Sequence, residues 1–110
     1  MPSNKYELIL AIVNEGLADD VMDVARECGV RGGTILTARG VTNEEAAAFF
    51  GISIHSEKEI LMMVVEKSIK NNVFNAVYDK LEMSKKTKGI VFSLPVSAAA
   101  GLVGQDDENK

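Results

Sequence analysis

The sequence of 110 residues has one cysteine, one histidine and no tryptophan. One cysteine excludes an internal disulfide, and a reduced, intracellular setting is the expectation that follows. Cys28 falls on the apolar stripe of a predicted helix and reads as a small core residue. One histidine, His55, leaves no companions for a zinc site or for a Cys-His or Ser-His-Asp arrangement. The glycine-lysine pattern of a Walker phosphate loop is missing as well, so the expectation is that the chain is not an enzyme. An excess of positive charge is also absent. Twelve Lys and Arg stand against 16 Asp and Glu, a net charge of −4, which disfavours nucleic acid as a partner. No apolar run approaches the roughly 20 residues that cross a bilayer, and the first five residues lack the form of a signal peptide. The expected location is cytoplasmic, with no insertion into a membrane.

What remains is ordinary for a globular chain, at 46% hydrophobic and 25% charged residues. The length suits one domain spanning 1–110. Residues 6–13 form a short branched apolar run that stops at Asn14-Glu15-Gly16, a strand signal. Both alternating sets are apolar, Leu8, Leu10 and Ile12 against Ile9, Ala11 and Val13, so this strand should be buried on both faces. Residues 17–28 read as a helix with Leu17, Val21, Val24, Ala25 and Cys28 on one side and Gly29 as its C-terminal cap.

Two glycines then open a second strand, 33–39, and Gly40 closes it. The connection 41–57 is long for a compact domain, and connections of that size are usually functional or disordered. Within it Thr42 and Glu45 have capping-box spacing, and residues 46–50 extend that into a short helix. A third strand covers 59–66, apolar on both faces. Ser68 is placed to cap a second helix over 69–83, with Ile69, Val73, Val77 and Leu81 as its stripe. A polar turn at 84–88 leads to a fourth strand at 89–96, where Pro95 marks an end or an edge. Residues 97–110 read as a flexible C-terminal tail.

The order is that of a ferredoxin-like β-α-β-β-α-β sandwich of the α+β class. Two helices cover one face of a four-stranded sheet, and a monomer then needs a polar second face. Three of the four strands are apolar on both faces instead. The chain should therefore form an oligomer that hides the second face.

The glycine-threonine strand ending in Arg39-Gly40, the element order, and Gly89-Ile90-Val91-Phe92 leading to Pro95-Val96 together resemble the PII signal-transduction family. The likeness runs over about residues 6–96 and is nearest to short PII-like proteins with an abbreviated loop. It implies a homotrimer with clefts between subunits that hold an adenine nucleotide such as ATP or ADP, or another small ligand. It implies that 41–57 is the T-loop equivalent, which docks onto a partner enzyme or membrane transporter in nitrogen-metabolism-type regulation. Position by position, Thr34 matches a threonine near the adenine, and Arg39 and Gly40 match the pair at the loop base. Thr87, Lys88 and Gly89 match the loop that contacts phosphates.

Departures accompany these matches. Ile90 stands where the family has a lysine, and Gly101 and Val103 stand where it has two arginines. No tyrosine lies in 41–57, which excludes modification of a loop tyrosine.

The candidate ligand-binding residues are therefore Thr34, Arg39, Gly40, Lys86, Thr87, Lys88 and Gly89. Lys86 and Lys88, with Lys85, read equally as phosphate contacts and as a solvated turn. Phe49 and Phe50 are the candidate partner-docking pair, one packed and the other exposed. Two other readings stay open: a CutA-like trimeric protein related to metals or stress, and a structural adaptor without ligand.

Overall fold

The computed structural model describes residues 5–41, 57–83 and 89–102. Its elements are β1 (Tyr6–Asn14), α1 (Ala18–Glu27), β2 (Thr34–Arg39), β3 (Glu57–Glu66), α2 (Lys67–Met83) and β4 (Ile90–Pro95). The strands form one sheet in the order β2-β3-β1-β4, and every neighbouring pair is antiparallel. Each β-α-β half thus has another strand inserted between its own two, which makes the sheet the α+β, ferredoxin-like one that the element order predicts.

Register divides the strands into two sets of side chains, because successive residues point to opposite faces. Ile9, Ala11 and Val13 of β1 share a face with Leu61, Met63 and Val65 of β3, and both helices pack there. Val21, Met22 and Ala25 of α1 and Val73 and Val77 of α2 close that layer. Ile9, Leu61, Met63, Val73 and Val77 reach 0% exposure. Burial of a side chain of this kind is worth about 1.5–3 kcal/mol, so this layer supplies the main stabilisation of the chain. Sequence spacing places Val24 on the α1 stripe. The helix buries Ala18 and Met22 instead and leaves Val24 half-buried.

No helix among the described residues covers the other face. Across it, Leu36, Ile60, Ile12 and Ile90 form one cross-strand row, and Thr34, Met62, Leu10 and Phe92 the next. Val64, Leu8 and Leu94 form a third. Of these side chains only Thr34 is polar. The strands are thus apolar on both faces, as their sequences predict, while the described residues provide cover for one.

The ends of the elements hold two findings that local patterns do not give. Ser68 is not the cap of α2. That helix begins at Lys67, directly after β3, and the Lys67 N–H donates to the Lys5 carbonyl at 2.9 Å. The Ser68 hydroxyl lies inside the first turn and donates to Glu66 Oε2 at 3.4 Å.

At α1 the N-cap position is Leu17, whose side chain makes no capping bond. The cap comes from β3. Glu59 Oε1 accepts from the Gly16 and Ala18 N–H groups, each at 3.0 Å. A carboxylate on the N–H groups of a helix start satisfies orphan donors and opposes the helix dipole. Its neighbours reach the same turn. The Glu57 carbonyl accepts from the Glu15 N–H, and the Lys58 ammonium donates to Asn14 Oδ1. At the far end of α1, Gly29 takes φ of +103° as the helix terminates, which suits glycine and fulfils the expectation of a cap there. The predicted capping box at 42–45 and the short helix at 46–50 lie outside the described residues.

Removing the Glu59 carboxylate should be felt at the start of α1. Glu59→Ala is expected to cost roughly 1–3 kcal/mol in urea denaturation. It should also speed amide exchange at Gly16 and Ala18. Unchanged exchange at both amides would show that the bonds do not hold the helix end.

Candidate functional site

The described residues form a concavity of about 670 Å³ where α1 runs into β2. One wall is the α1–β2 connection, residues 29–33. The floor comes from the last part of β3, with Met62, Val64 and Glu66, and from Tyr6 and Leu8 of β1. Leu102 of the C-terminal tail stands against them. β2 is six residues long and β3 ten. The end of β3 therefore runs on past the start of β2, and the connection bends alongside it.

Thr34 is the first residue of β2, in register with Met62 and on the face without helices. Its hydroxyl is the hydrogen-bonding group that the strand brings to the rim. Glycines set the shape of the wall. A Cβ on Gly33 would lie 2.9 Å from the Met62 carbonyl oxygen and 2.9 Å from Leu61 Cδ1, so only glycine lets the backbone come this close to β3. A Cβ on Gly32 would meet nothing within 4 Å. Space is therefore free beside Gly32, whereas the lack of a side chain at Gly33 lets the wall lie against β3.

The candidate residues from the sequence separate into groups. Thr34 lines the concavity, while Arg39 and Gly40 lie at the other end of β2, with Arg39 in register with Glu57. Five residues of strand put Arg39 about 17 Å from Thr34 and turn its side chain to the opposite face. Gly89 precedes β4, and a Cβ there would lie 2.8 Å from Leu81 Cδ2 and 3.2 Å from the Ile12 carbonyl oxygen. Its lack of a side chain is therefore used in packing. It also sits at the end of the sheet away from Tyr6 and Glu66. One subunit does not bring Thr34, Arg39, Gly40 and Gly89 into one pocket. Lys86, Thr87, Lys88, Phe49 and Phe50, together with His55, lie outside the described residues.

Sequence reasoning missed Tyr6, Arg31, Glu66 and Leu102 as wall residues. Glu66 carried a signal, since it shares strand parity with Met62 and Val64 and pairs with Tyr6. Arg31 adjoins the glycine pair. Leu102, in a tail of small residues, carried none. Cys28 is half-buried at the edge of the core, with Sγ 3.9 Å from the Asn72 carbonyl oxygen, in keeping with a packing role. No group of three or more His, Cys, Asp or Glu placed to hold a metal occurs among the described residues. No helix among them is long and apolar enough to cross a membrane.

Comparison with known proteins gives one family. The model for Nitrogen regulatory protein P-II matches residues 6–103. Among curated proteins, none matches the chain by sequence. Several solved structures are similar. PII of Arabidopsis thaliana bound to citrate is 24% identical, with 86% of this chain and 78% of that one covered and a TM-score of 0.64. CPII, a nitrogen regulatory PII-like protein of Thiomonas intermedia K12 bound to ADP, AMP and bicarbonate, is 14% identical. It covers 93% of this chain and 98% of its own, with a TM-score of 0.63. A DUF3240 family protein of Shewanella baltica OS155 is 13% identical, covers 91% and 99%, and has a TM-score of 0.67. At these identities the likeness is one of fold.

The two wall glycines should respond differently to substitution. Gly33→Ala is expected to lower stability by about 1–3 kcal/mol through overpacking against Met62 and Leu61. Gly32→Ala should lie within roughly 0.5 kcal/mol of the parent. Thermal denaturation of the two variants in parallel checks this, and equal melting temperatures would refute the assignment of roles.

Proposed function

This chain belongs to the nitrogen regulatory protein P-II family, and on that premise we propose that it is a homotrimeric PII-like regulator that senses a small molecule. The observation that carries the proposal is the uncovered apolar face. Leu10, Met62 and Phe92 lie across its middle, and the concavity with Thr34 opens at its margin. A contiguous apolar face of this kind calls for a protein partner, and further copies of the same chain supply one by symmetry. Assembly through it leaves each concavity beside a neighbouring subunit, as an inter-subunit ligand cleft.

The ligand is of the adenine-nucleotide class. Similar folds bind such molecules: CPII of Thiomonas intermedia holds ADP and AMP, and the Arabidopsis PII holds citrate. Thr34 is the ligand contact that the concavity supports best. Arg39 and Gly40 belong to the stem of the 41–57 connection, in register with Glu57 and beside Lys58. In this reading they serve output rather than the ligand pocket. The connection, with Phe49 and Phe50, is the surface that engages a partner enzyme or transporter. Occupancy of the cleft shifts its conformers by differential affinity. Modification of a loop tyrosine has no part in it, since 41–57 has no tyrosine.

Light scattering tests the assembly and calorimetry the ligand. A trimer is expected, and Leu10→Glu should break it into monomers, because one carboxylate per subunit would be buried in the shared core. Titration with AMP, ADP and ATP should give binding that Thr34→Val weakens by about tenfold, the worth of one hydrogen bond. A monomeric parent protein, or a trimer that binds none of the three, sinks the corresponding half of the proposal.

A further inference from the structure

We propose that α1 is a mechanical relay into the body of the subunit from the stem of the 41–57 connection, and that Glu59 is the positioning residue that engages it. The relay rests on the reading of that connection as the output surface. Its test uses neither ligand nor partner, so its failure leaves that reading standing.

The start of α1 has no cap of its own. Leu17 stands at the N-cap position and makes no side-chain bond there. The donors of this turn are served from far along the chain. The Glu15 N–H donates to the Glu57 carbonyl at 3.2 Å, and the Gly16 and Ala18 N–H groups donate to Glu59 Oε1. Glu57 offers a backbone carbonyl that any residue would provide. Glu59 is the residue of the stem whose side chain reaches α1 itself, at Ala18. A helix of ten residues is too short to hold its first turn by propensity alone, so these bonds decide whether that turn is formed.

Both ends of the connection bear on the same turn. On the β3 side, the Lys58 ammonium donates to Asn14 Oδ1. On the β2 side, Gly40 lies against Lys58. A Cβ on Gly40 would stand 3.1 Å from Lys58 Cε and 3.3 Å from its Cγ. A rearrangement that parts the stem from this turn therefore removes the acceptors of three amides together.

The opposite end of α1 is bonded to residues 29–33. The Gly29 N–H donates to the Arg26 carbonyl at 3.0 Å and the Val30 N–H to the Ala25 carbonyl at 3.2 Å. Met22 of α1 also bears on this segment, since a Cβ on Gly33 would lie 3.2 Å from its Sδ. Toward the sheet α1 buries Ala18, Val21, Met22 and Ala25. Two alanines and a flexible thioether make a shallow face with little interlock. Packed helices slide by small shear over such contacts. The sheet is the poorer carrier, because β1 is paired with β3 from Tyr6 to Asn14 and cannot shift without breaking that register. A displacement at the first turn is thus carried along α1 to Val30 and Gly33.

The test is a double-mutant cycle read by amide NMR resonances of the full chain. Resonance positions report the native state, so a loss of global stability does not imitate the effect. Lys58→Met removes the bond to Asn14, and Gly40→Ala pushes on the Lys58 side chain. They are two independent ways to disturb the stem, and one serves if the other does not fold. Each is expected to shift the amides of Gly16 and Ala18 and, at the far end, those of Val30 and Gly33. In a Glu59→Ala background the same substitutions should leave Val30 and Gly33 in place. Glu59→Gln keeps the acceptor oxygen and should restore the far response. Far amides that ignore both stem variants overturn the relay. Far shifts that persist undiminished in Glu59→Ala, or that Glu59→Gln fails to restore, overturn the role of Glu59.

Discussion

Two helices can shield one face of a four-stranded sheet, and the rest of this structure follows from that limit. The helix side is filled to 0% exposure at Ile9, Leu61, Met63, Val73 and Val77. The same strands carry an equally apolar second set of side chains that no helix among the described residues covers. Because side chains alternate along a strand, each residue added to lengthen the buried core also lengthens the bare face. The concavity takes its position from the same geometry, at the corner where β3 outruns β2.

The start of β3 joins two regions that are distant in sequence. Glu57, Lys58 and Glu59 each touch the turn between β1 and α1, through a backbone carbonyl, an ammonium and a carboxylate. The stem of the 41–57 connection is thereby tied to the N-terminus of α1, and the C-terminus of that helix opens into the wall of the concavity. A helix of ten residues spans about 15 Å, so the two places are the ends of one short rigid body.

Much of the fold was legible in the sequence because it rests on periodicity. Leu8, Leu10 and Ile12 alternating with Ile9, Ala11 and Val13 announce a strand with two dry faces, and Val73, Val77 and Leu81 announce a helix stripe. The order of elements then leaves few topologies. What local pattern does not contain is any interaction between distant residues. Glu59 reads as one polar position in an apolar strand, and only the register beside β1 brings it to the start of α1. Ser68 looks like a cap because serine commonly is one, yet β3 passes straight into α2 and leaves no position for it.

The site was less legible. Thr34 and Arg39 look like one lining in sequence, but an odd spacing on a strand sends them to opposite faces. The counting rule that separates them was available from the residues alone. Leu102 could not be found that way, because nothing near it in sequence marks it as part of a wall.

The β2 edge has a consequence beyond ligand binding. Edge strands are commonly guarded by charges, prolines or bulges that discourage unwanted pairing. From Thr34 to Ala38 this one has neither a charge nor a proline, and Ile35 and Leu36 are both more than 40% exposed. Among the described residues, a solitary copy therefore displays an open backbone edge flanked by apolar side chains on both sides, the profile of an aggregation nucleus. Aggregation through such an edge is intermolecular and rises with concentration, so a solitary chain is at greater risk crowded than dilute.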